Sequence, residues 1–176
     1  LLTLSPETTA PVGASAQAGG EDMAGAIAVL TPEVPAKLDV LRVPVNVSET
    51  EIAYLENAIW IEKPARLFRR VLGETLRARA DETAGEVTPL VLDSDDTPLR
   101  AGTFLRGTLM ELGYDALSGD VVVRYDAIRS DALGNAVTRR FEARESGVDA
   151  DAQAIGPALN RAANTVASDV AQWMMP

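Results

Sequence analysis

Asp93, Asp95 and Asp96 stand close together in the run LDSDDTP. Three near carboxylates are the residue types that hold Ca²⁺, and their spacing faintly echoes the start of an EF-hand loop. The run lacks the central glycine and the closing bidentate glutamate, and Pro98 intrudes. A solvated turn is the expectation there, not a metal site. The chain has no histidine and no cysteine. Thiolate nucleophiles, disulfides, thiolate or imidazole metal ligands and histidine acid–base catalysis are therefore excluded together. A serine or threonine nucleophile would need a lysine base. Lys37 and Lys63 are the only lysines, and neither lies in a Ser-x-x-Lys arrangement. Carboxylate pairs of the glycosidase kind need not be close in sequence, so a carboxylate-based hydrolase stays open as the least favoured reading. Gly19-Gly20, and Gly102 with Gly107, follow no phosphate-loop pattern. Asn46-Val47-Ser48 matches a glycosylation acceptor by triplet alone and falls in an expected strand. No motif names a reaction, and no cofactor, metal or catalytic residue is expected.

Charge narrows the partners. With 16 basic against 26 acidic residues, the net charge is −10. Such a body repels phosphate backbones, which argues against nucleic acid. Anionic membranes are equally unattractive unless a basic patch or a covalent anchor compensates. At 176 residues, 47% hydrophobic and 24% charged, the composition fits one ordinary domain. Aromatics are only 5%, so Leu, Val, Ile and Ala must build the core. No apolar run approaches the roughly 18–20 residues that span a bilayer.

The elements follow from periodicity. Residues Ser5–Glu21 are rich in Pro, Ala, Gly, Ser and Thr, and the first 22 residues are expected to be a flexible linker. Order is expected from about Met23. Ala26–Leu30 reads as a buried strand closed by Thr31-Pro32. In Leu38–Val47, Leu41, Val43, Val45 and Val47 alternate with Arg42, Pro44 and Asn46. Pro44 cannot donate to a ladder, so this strand is expected at an edge. Glu51–Ile61 reads as strand-turn-strand around Glu56-Asn57.

Pro64 suits the first turn of a helix. Leu67, Phe68, Val71, Leu72 and Leu76 then form one apolar stripe. Arg66, Arg69, Arg70, Glu74 and Arg77 take the opposite, solvated face, and the helix is expected to fade within Asp81–Glu86. Three strands follow at Phe104–Tyr114, Asp120–Ile128 and Val137–Glu145. They are separated by the turns Leu117-Ser118-Gly119 and Asp131–Asn135. Ile155, Leu159, Ala162, Ala163, Val166, Val170, Trp173 and Met174 mark a last helix, with Asp149 and Asp151 as caps. Pro157 should either start the regular helix or kink it. The expected fold is α+β: a mixed, largely antiparallel sheet with two main helices packed on one face. Among the scarce aromatics, Trp60 is expected to anchor the strand-to-helix corner, and Trp173 to dock on the core.

The order of residues in Tyr54-Leu55-Glu56-Asn57-Ala58-Ile59-Trp60-Ile61-Glu62-Lys63-Pro64, followed by Leu67, Val71, Leu72 and Leu76, resembles the ABC-type transport auxiliary lipoprotein family. This group includes the paraquat-inducible protein C type. Leu2-Thr3-Leu4 is similar to the family's opening, with Leu2 in place of an aromatic. Val34-Pro35 with Leu38-Asp39, Arg139-Arg140-Phe141 and Ala171-Gln172-Trp173 extend the likeness along the chain. The resemblance marks Pro35, Tyr54, Trp60, Glu62, Pro64, Leu67, Leu72, Phe141 and Trp173 as family positions with structural or interaction roles. It implies a non-catalytic periplasmic domain anchored to the outer membrane through a lipidated cysteine. It also implies partnership with an ABC permease, its ATPase and an MCE-domain protein that moves phospholipid or another hydrophobic molecule. Self-association is compatible with that role. No lipidation cysteine is present, so the anchor is expected just upstream of Leu1, with Ser5–Glu21 as a tether. The rival implication is a module that itself holds lipid in a groove between sheet and helices.

Overall fold

The computed structural model describes residues 1–18, 25–83, 85, 88–94 and 101–176. Its strands are β1 (Ile27–Val29), β2 (Arg42–Asn46), β3 (Ile52–Ile59), β4 (Val91–Leu92), β5 (Thr103–Asp115), β6 (Asp120–Asp131) and β7 (Ala136–Glu145). Its α-helices are α1 (Pro64–Thr83) and α2 (Ala152–Met174), and one 3-10 turn spans Ala36–Leu38. Among the described residues these strands form one mixed sheet. β5 is its spine: β6 runs antiparallel along one side and is followed by β7. On the other side, β1 pairs in parallel with the start of β5 and β2 with its end, and β3 and β4 lie outermost. This is the α+β architecture expected from the periodicity.

Along β6 and β7 one sheet face is packed and the other is wet, while a smaller cluster of Ala26, Ala28 and Ala101 is buried around β1. Val121, Val123, Tyr125 and Ala127 of β6 are buried with Phe68, Leu72 and Leu76 of α1 and Ile155, Leu159, Val166 and Val170 of α2. The Phe68 and Tyr125 rings meet edge-on, 5.2 Å between centroids. Arg124, Asp126, Arg140, Glu142 and Arg144 stand on the other face and pair across β6 and β7. Arg140 reaches Asp126 at 2.7 Å, and Arg144 reaches Asp120 at 3.2 Å. That division is the alternation of a half-buried antiparallel sheet.

Four expectations change. β2 is interior, between β3 and β5, not at an edge. Its antiparallel ladder donors alternate from Val47, whose N–H meets the Glu51 carbonyl at 3.0 Å. Pro44 therefore points toward β5, and pairing there begins only at Val45. No hydrogen bond is asked of the proline. Gly113 of β5 makes this closeness possible, because a Cβ there would overlap the Pro44 carbonyl.

Residues Ile52–Ile59 form one strand, and Glu56-Asn57 is a bulge and not a reversal. The pairing jumps from Pro44↔Tyr54 to Arg42↔Ile59, with Asn57 at φ 58° inside the gap. The regular α2 helix starts well before Pro157. Asp151 alone caps it, its carboxylate accepting the Ala154 N–H at 2.8 Å.

The fourth change concerns the first residues, which are tied to the body. Leu2 bridges Trp60, and Leu4 is buried. The Ser5 N–H donates to Asn160 Oδ1 and the Glu7 N–H to Asn164 Oδ1, both at 2.8 Å. Further along, the Gln17 N–H meets the Thr88 carbonyl at 3.1 Å. Composition reads this stretch as a linker because its own apolar content is low. Side-chain amides of α2 supply the partners that the segment lacks. Met23 and the Gly19-Gly20 pair lie outside the described residues.

Candidate functional site: the β3 to α1 joint

The joint is built around a reversal of faces inside β3. Uninterrupted alternation would place Tyr54 and Trp60 on the same side of the strand. The bulge at Asn57 breaks the count, so Leu55, Ala58 and Trp60 turn inward while Tyr54 and Ile59 stay out. Trp60 is 1% exposed. Its backbone N–H meets the Leu41 carbonyl at 2.9 Å, and its indole Nε1 has no hydrogen-bond partner among the described residues. It is the core anchor of the strand-to-helix corner.

The helix start is locked from both sides. Pro64 opens α1 and is buried, while the Lys63 carbonyl accepts the N–H groups of Arg66 and Leu67. Glu62 holds Arg70 at 2.7 Å and Arg66 at 3.6 Å, a carboxylate placed where the helix N-terminus favours negative charge. Leu67 and Leu72 are fully buried. Arg69 departs from the solvated face expected for it. It is buried, and its guanidinium donates to the Val29 carbonyl at 2.8 Å and to Thr31 Oγ1 at 3.1 Å. A helix arginine thereby ties α1 to the end of β1. Pro35 is half-buried, and its carbonyl takes the Leu38 N–H at 2.9 Å to close the 3-10 turn.

Tyr54 is the aromatic that the joint leaves outside, at 37% exposure. Its hydroxyl donates to the Lys37 carbonyl at 3.3 Å, and the Arg42 guanidinium lies 5.8 Å from its ring centre. It lines an open groove of about 820 Å³ between β3 and the start of α2, together with Val45, Leu55, Tyr114 and Ala152. Glu56 and Asp151 set two carboxylates on that groove.

The distal positions that the resemblance marked close the other end of the helix layer. Phe141 is buried and meets the half-buried Trp173 edge-on at 5.6 Å. Arg129 stacks 4.6 Å from the Trp173 ring centre and donates to its carbonyl at 2.7 Å. The structure thus splits the marked positions. Pro35, Trp60, Glu62, Pro64, Leu67 and Leu72 gather at the joint, Tyr54 lines the groove beside it, and Phe141 with Trp173 make a second corner.

The side chains whose types could do chemistry are tied up elsewhere. Lys37 Nζ faces Glu111 at 2.7 Å and Lys63 Nζ faces Asp39 at 2.9 Å, carboxylates and not hydroxyls. Asp93 is paired with Arg77, and Asp95 and Asp96 lie outside the described residues. Among the described residues no three acidic side chains converge as a metal site. The described carboxyls with displaced pKa are all pushed down. The Arg140 hydrogen bond lowers Asp126, and contacts from Asn135 lower Asp131. Burial pushes Glu142 up, but Arg124 and Arg144 together outweigh it. Burial raises the Tyr125 hydroxyl well above its ordinary value. None of these groups lines the groove.

Residues 3–101, more than half of the chain, match the model of the ABC-type transport auxiliary lipoprotein component family. The chain belongs to this family. The match takes in Leu4, Trp60, α1 and β4. The fold recurs in a crystal structure of an uncharacterized protein, 14% identical, with a TM-score of 0.71 over 86% of this chain and 93% of that one. It recurs also in protein XCC0632 from Xanthomonas campestris, of family DUF330. That protein is 15% identical, with a TM-score of 0.69 over 99% of this chain and 90% of that one. No curated protein matches the chain in sequence. Membership makes the auxiliary lipoprotein a component associated with ABC-type transport and, by the family's description, membrane-anchored.

Sequence reasoning missed three members of this region: Arg69, Asn160 and Asn164. The asparagines stand four apart on α2, so they share one helix face. Asn164 is buried and grips both the Ser5 carbonyl and, through its oxygen, the Glu7 N–H. A polar pair at helical spacing inside an alanine-rich stripe was the available signal.

Proposed function

We propose that this auxiliary lipoprotein is a non-catalytic, periplasm-facing subunit of an ABC transport system with an MCE-domain partner. The system moves phospholipid or another hydrophobic molecule between bacterial membranes, and this subunit acts by protein contact. One observation carries the reading. The space between sheet and helices is filled by Trp60, Phe68, Tyr125, Leu105, Leu109 and Leu112, each fully buried. An accessible, mainly apolar concavity lies instead on the outside, as the open groove at Tyr54. A filled interior leaves no room for an acyl chain there, which favours partner docking over lipid holding. Asp126 and Glu142, whose carboxyls are held down, do not fit the raised pKa of a carboxylate general acid.

Affinity capture of the full-length acylated protein from detergent-solubilised membranes tests the reading. Co-purification of an MCE-domain protein and an ABC permease is the expected result. Capture of the intact protein with neither would count heavily against it. Tyr54→Glu should weaken that capture at least tenfold and leave the melting temperature nearly unchanged, because the ring is a surface anchor. Recovery of an extractable lipid bound to the purified domain, seen by native mass spectrometry, would instead favour the lipid-holding module.

A further inference from the structure

Among the described residues the sheet ends in β3, β4 and β7, and only β7 offers a long, regular edge. β4 is Val91–Leu92 alone. β3 is interrupted by the Asn57 bulge, and its far end already carries Leu2, whose N–H meets the Ile59 carbonyl at 2.7 Å. β7 runs along β6 from Ala136 to Glu145 in unbroken register, with no proline in it. Among the described residues no strand pairs its other side.

That open side can be resolved residue by residue. The Asp131 N–H donates to the Asn135 carbonyl at 3.0 Å, so this pair is of the hydrogen-bonded kind. Such pairs alternate along an antiparallel ladder. Val137, Arg139, Phe141, Ala143 and Glu145 therefore bond to β6. Ala136, Thr138, Arg140, Glu142 and Arg144 direct their N–H and C=O groups away from the sheet. Exposed edges are commonly guarded by charge, but here the charged side chains are drawn back over β6. Arg140 reaches Asp126 at 2.7 Å, Arg144 reaches Asp120 at 3.2 Å, and Glu142 pairs with Arg124. On the helix side, an open cleft of about 630 Å³ lined by Arg139, Phe141, Asp169 and Trp173 leaves room beside the strand.

We propose that β7 pairs antiparallel with β7 of a second copy, about a two-fold axis at Phe141, so that one sheet continues through two chains. An isologous contact needs a self-complementary surface, and the charges of β7 supply one. In this register Arg140 stands opposite the second copy's Glu142, and Thr138 opposite its Arg144. Both are pairs whose free backbone groups point at each other. The wet face then carries a row of alternating sign: Asp126, Arg140, and the second copy's Glu142 and Arg124. On the helix side Phe141 meets its own counterpart, a favourable cross-strand aromatic pair. Other registers are worse. Sliding by two residues sets Arg140 opposite itself, or Glu142 opposite itself with Arg140 against Arg144. Sliding by one turns each open backbone group toward a residue already bonded to β6. A slide of four either opposes Arg139 to itself or leaves a much shorter ladder. β3 lies at the other end of the sheet, so this pairing keeps the Tyr54 groove free.

Sedimentation of the full chain tests the pairing. A dimer that dissociates on dilution is expected. Arg140→Glu and Glu142→Arg each set like charges across the axis and should weaken self-association about tenfold. An equal mixture of the two variants restores opposite charges at both contacts and should recover the dimer that neither forms well alone. Thr138→Pro removes an N–H from the open edge and none from the β6 ladder. It should weaken the dimer at least tenfold, with the melting curve of the dilute, monomeric chain nearly unchanged. A chain that stays monomeric at the highest concentrations reached overturns the proposal, as does a dimer indifferent to Thr138→Pro. Two weakened variants that do not recover on mixing overturn the Phe141-centred register. Hydrogen exchange at Thr138, Arg140, Glu142 and Arg144 that slows only when solubilised transporter is added overturns self-pairing in favour of a partner's strand.

Discussion

Trp60 and Trp173 close opposite ends of the same helix layer by different physics. Trp60 is sealed between β3, α1 and the incoming Leu2, with its indole N–H left without a partner among the described residues. Trp173 is half-buried at the end of α2, clamped by the Phe141 edge and the Arg129 guanidinium. The first corner holds by volume and exclusion of water, the second by ring electrostatics at a wet boundary. Trp60 lies within the residues that match the family model, and Trp173 lies beyond them. The enclosed corner is expected to tolerate change less well than the wet one.

The largest expected effect tests that claim. Trp60→Ala should cost about 3–5 kcal/mol by cavity formation, read as a fall in denaturation midpoint. A variant that keeps its stability and loses only partner capture would move Trp60 from the core to the interface and erase the contrast. Trp173→Ala should cost about 1–2 kcal/mol, since the ring is only partly buried. A double-mutant cycle with Arg129→Ala should return a coupling of about 0.5–1 kcal/mol; no coupling would reduce that corner to simple burial. Tyr125→Phe sharpens the enclosed side. Its hydroxyl, like the Trp60 N–H, is buried without a partner among the described residues, so its removal should stabilise the protein by about 1 kcal/mol. A loss instead would mean that the hydroxyl is satisfied in solution.

The smallest effect belongs to the wet face of β6 and β7. Asp126 has its pKa lowered from 3.8 by Arg140, and Glu142 from 4.5, where Arg124 and Arg144 outweigh burial. A lowered folded pKa contributes stability above the unfolded value and loses it as pH falls through the folded one. Melting temperature should therefore decline gently below these ordinary values, and Arg140→Gln should flatten the decline. Trp60→Phe should leave the acid decline as it is, because neither of these titrating carboxyls touches that corner.

Much of the fold was legible because it is locally written. The α1 stripe from Leu67 to Leu76, the β5–β6–β7 meander with its glycine turns, and the α2 stripe depend on near-neighbour spacing. The joint was legible as residues but not as geometry. Glu56-Asn57 carried a turn signal, and a left-handed Asn serves a bulge as well as a hairpin. Whether the chain reverses there depends on β2 continuing alongside, which no local pattern states. Pro44 misled for a related reason. A proline excludes one hydrogen bond, not a strand position, and the bond it excludes falls where β5 has not yet paired.

Residue order and composition were enough to set the periods of the elements, the aromatic economy of the core and the loss of histidine and cysteine chemistry. Those follow from residue counts and from contacts a few positions apart. Folding in three dimensions was needed to turn Trp60 in and Tyr54 out, to bury Arg69 against β1, and to strap the first residues to α2. Each of these depends on a partner far along the chain. Ser5 and Asn164 lie 159 residues apart, and only folding brings such a pair within a hydrogen bond.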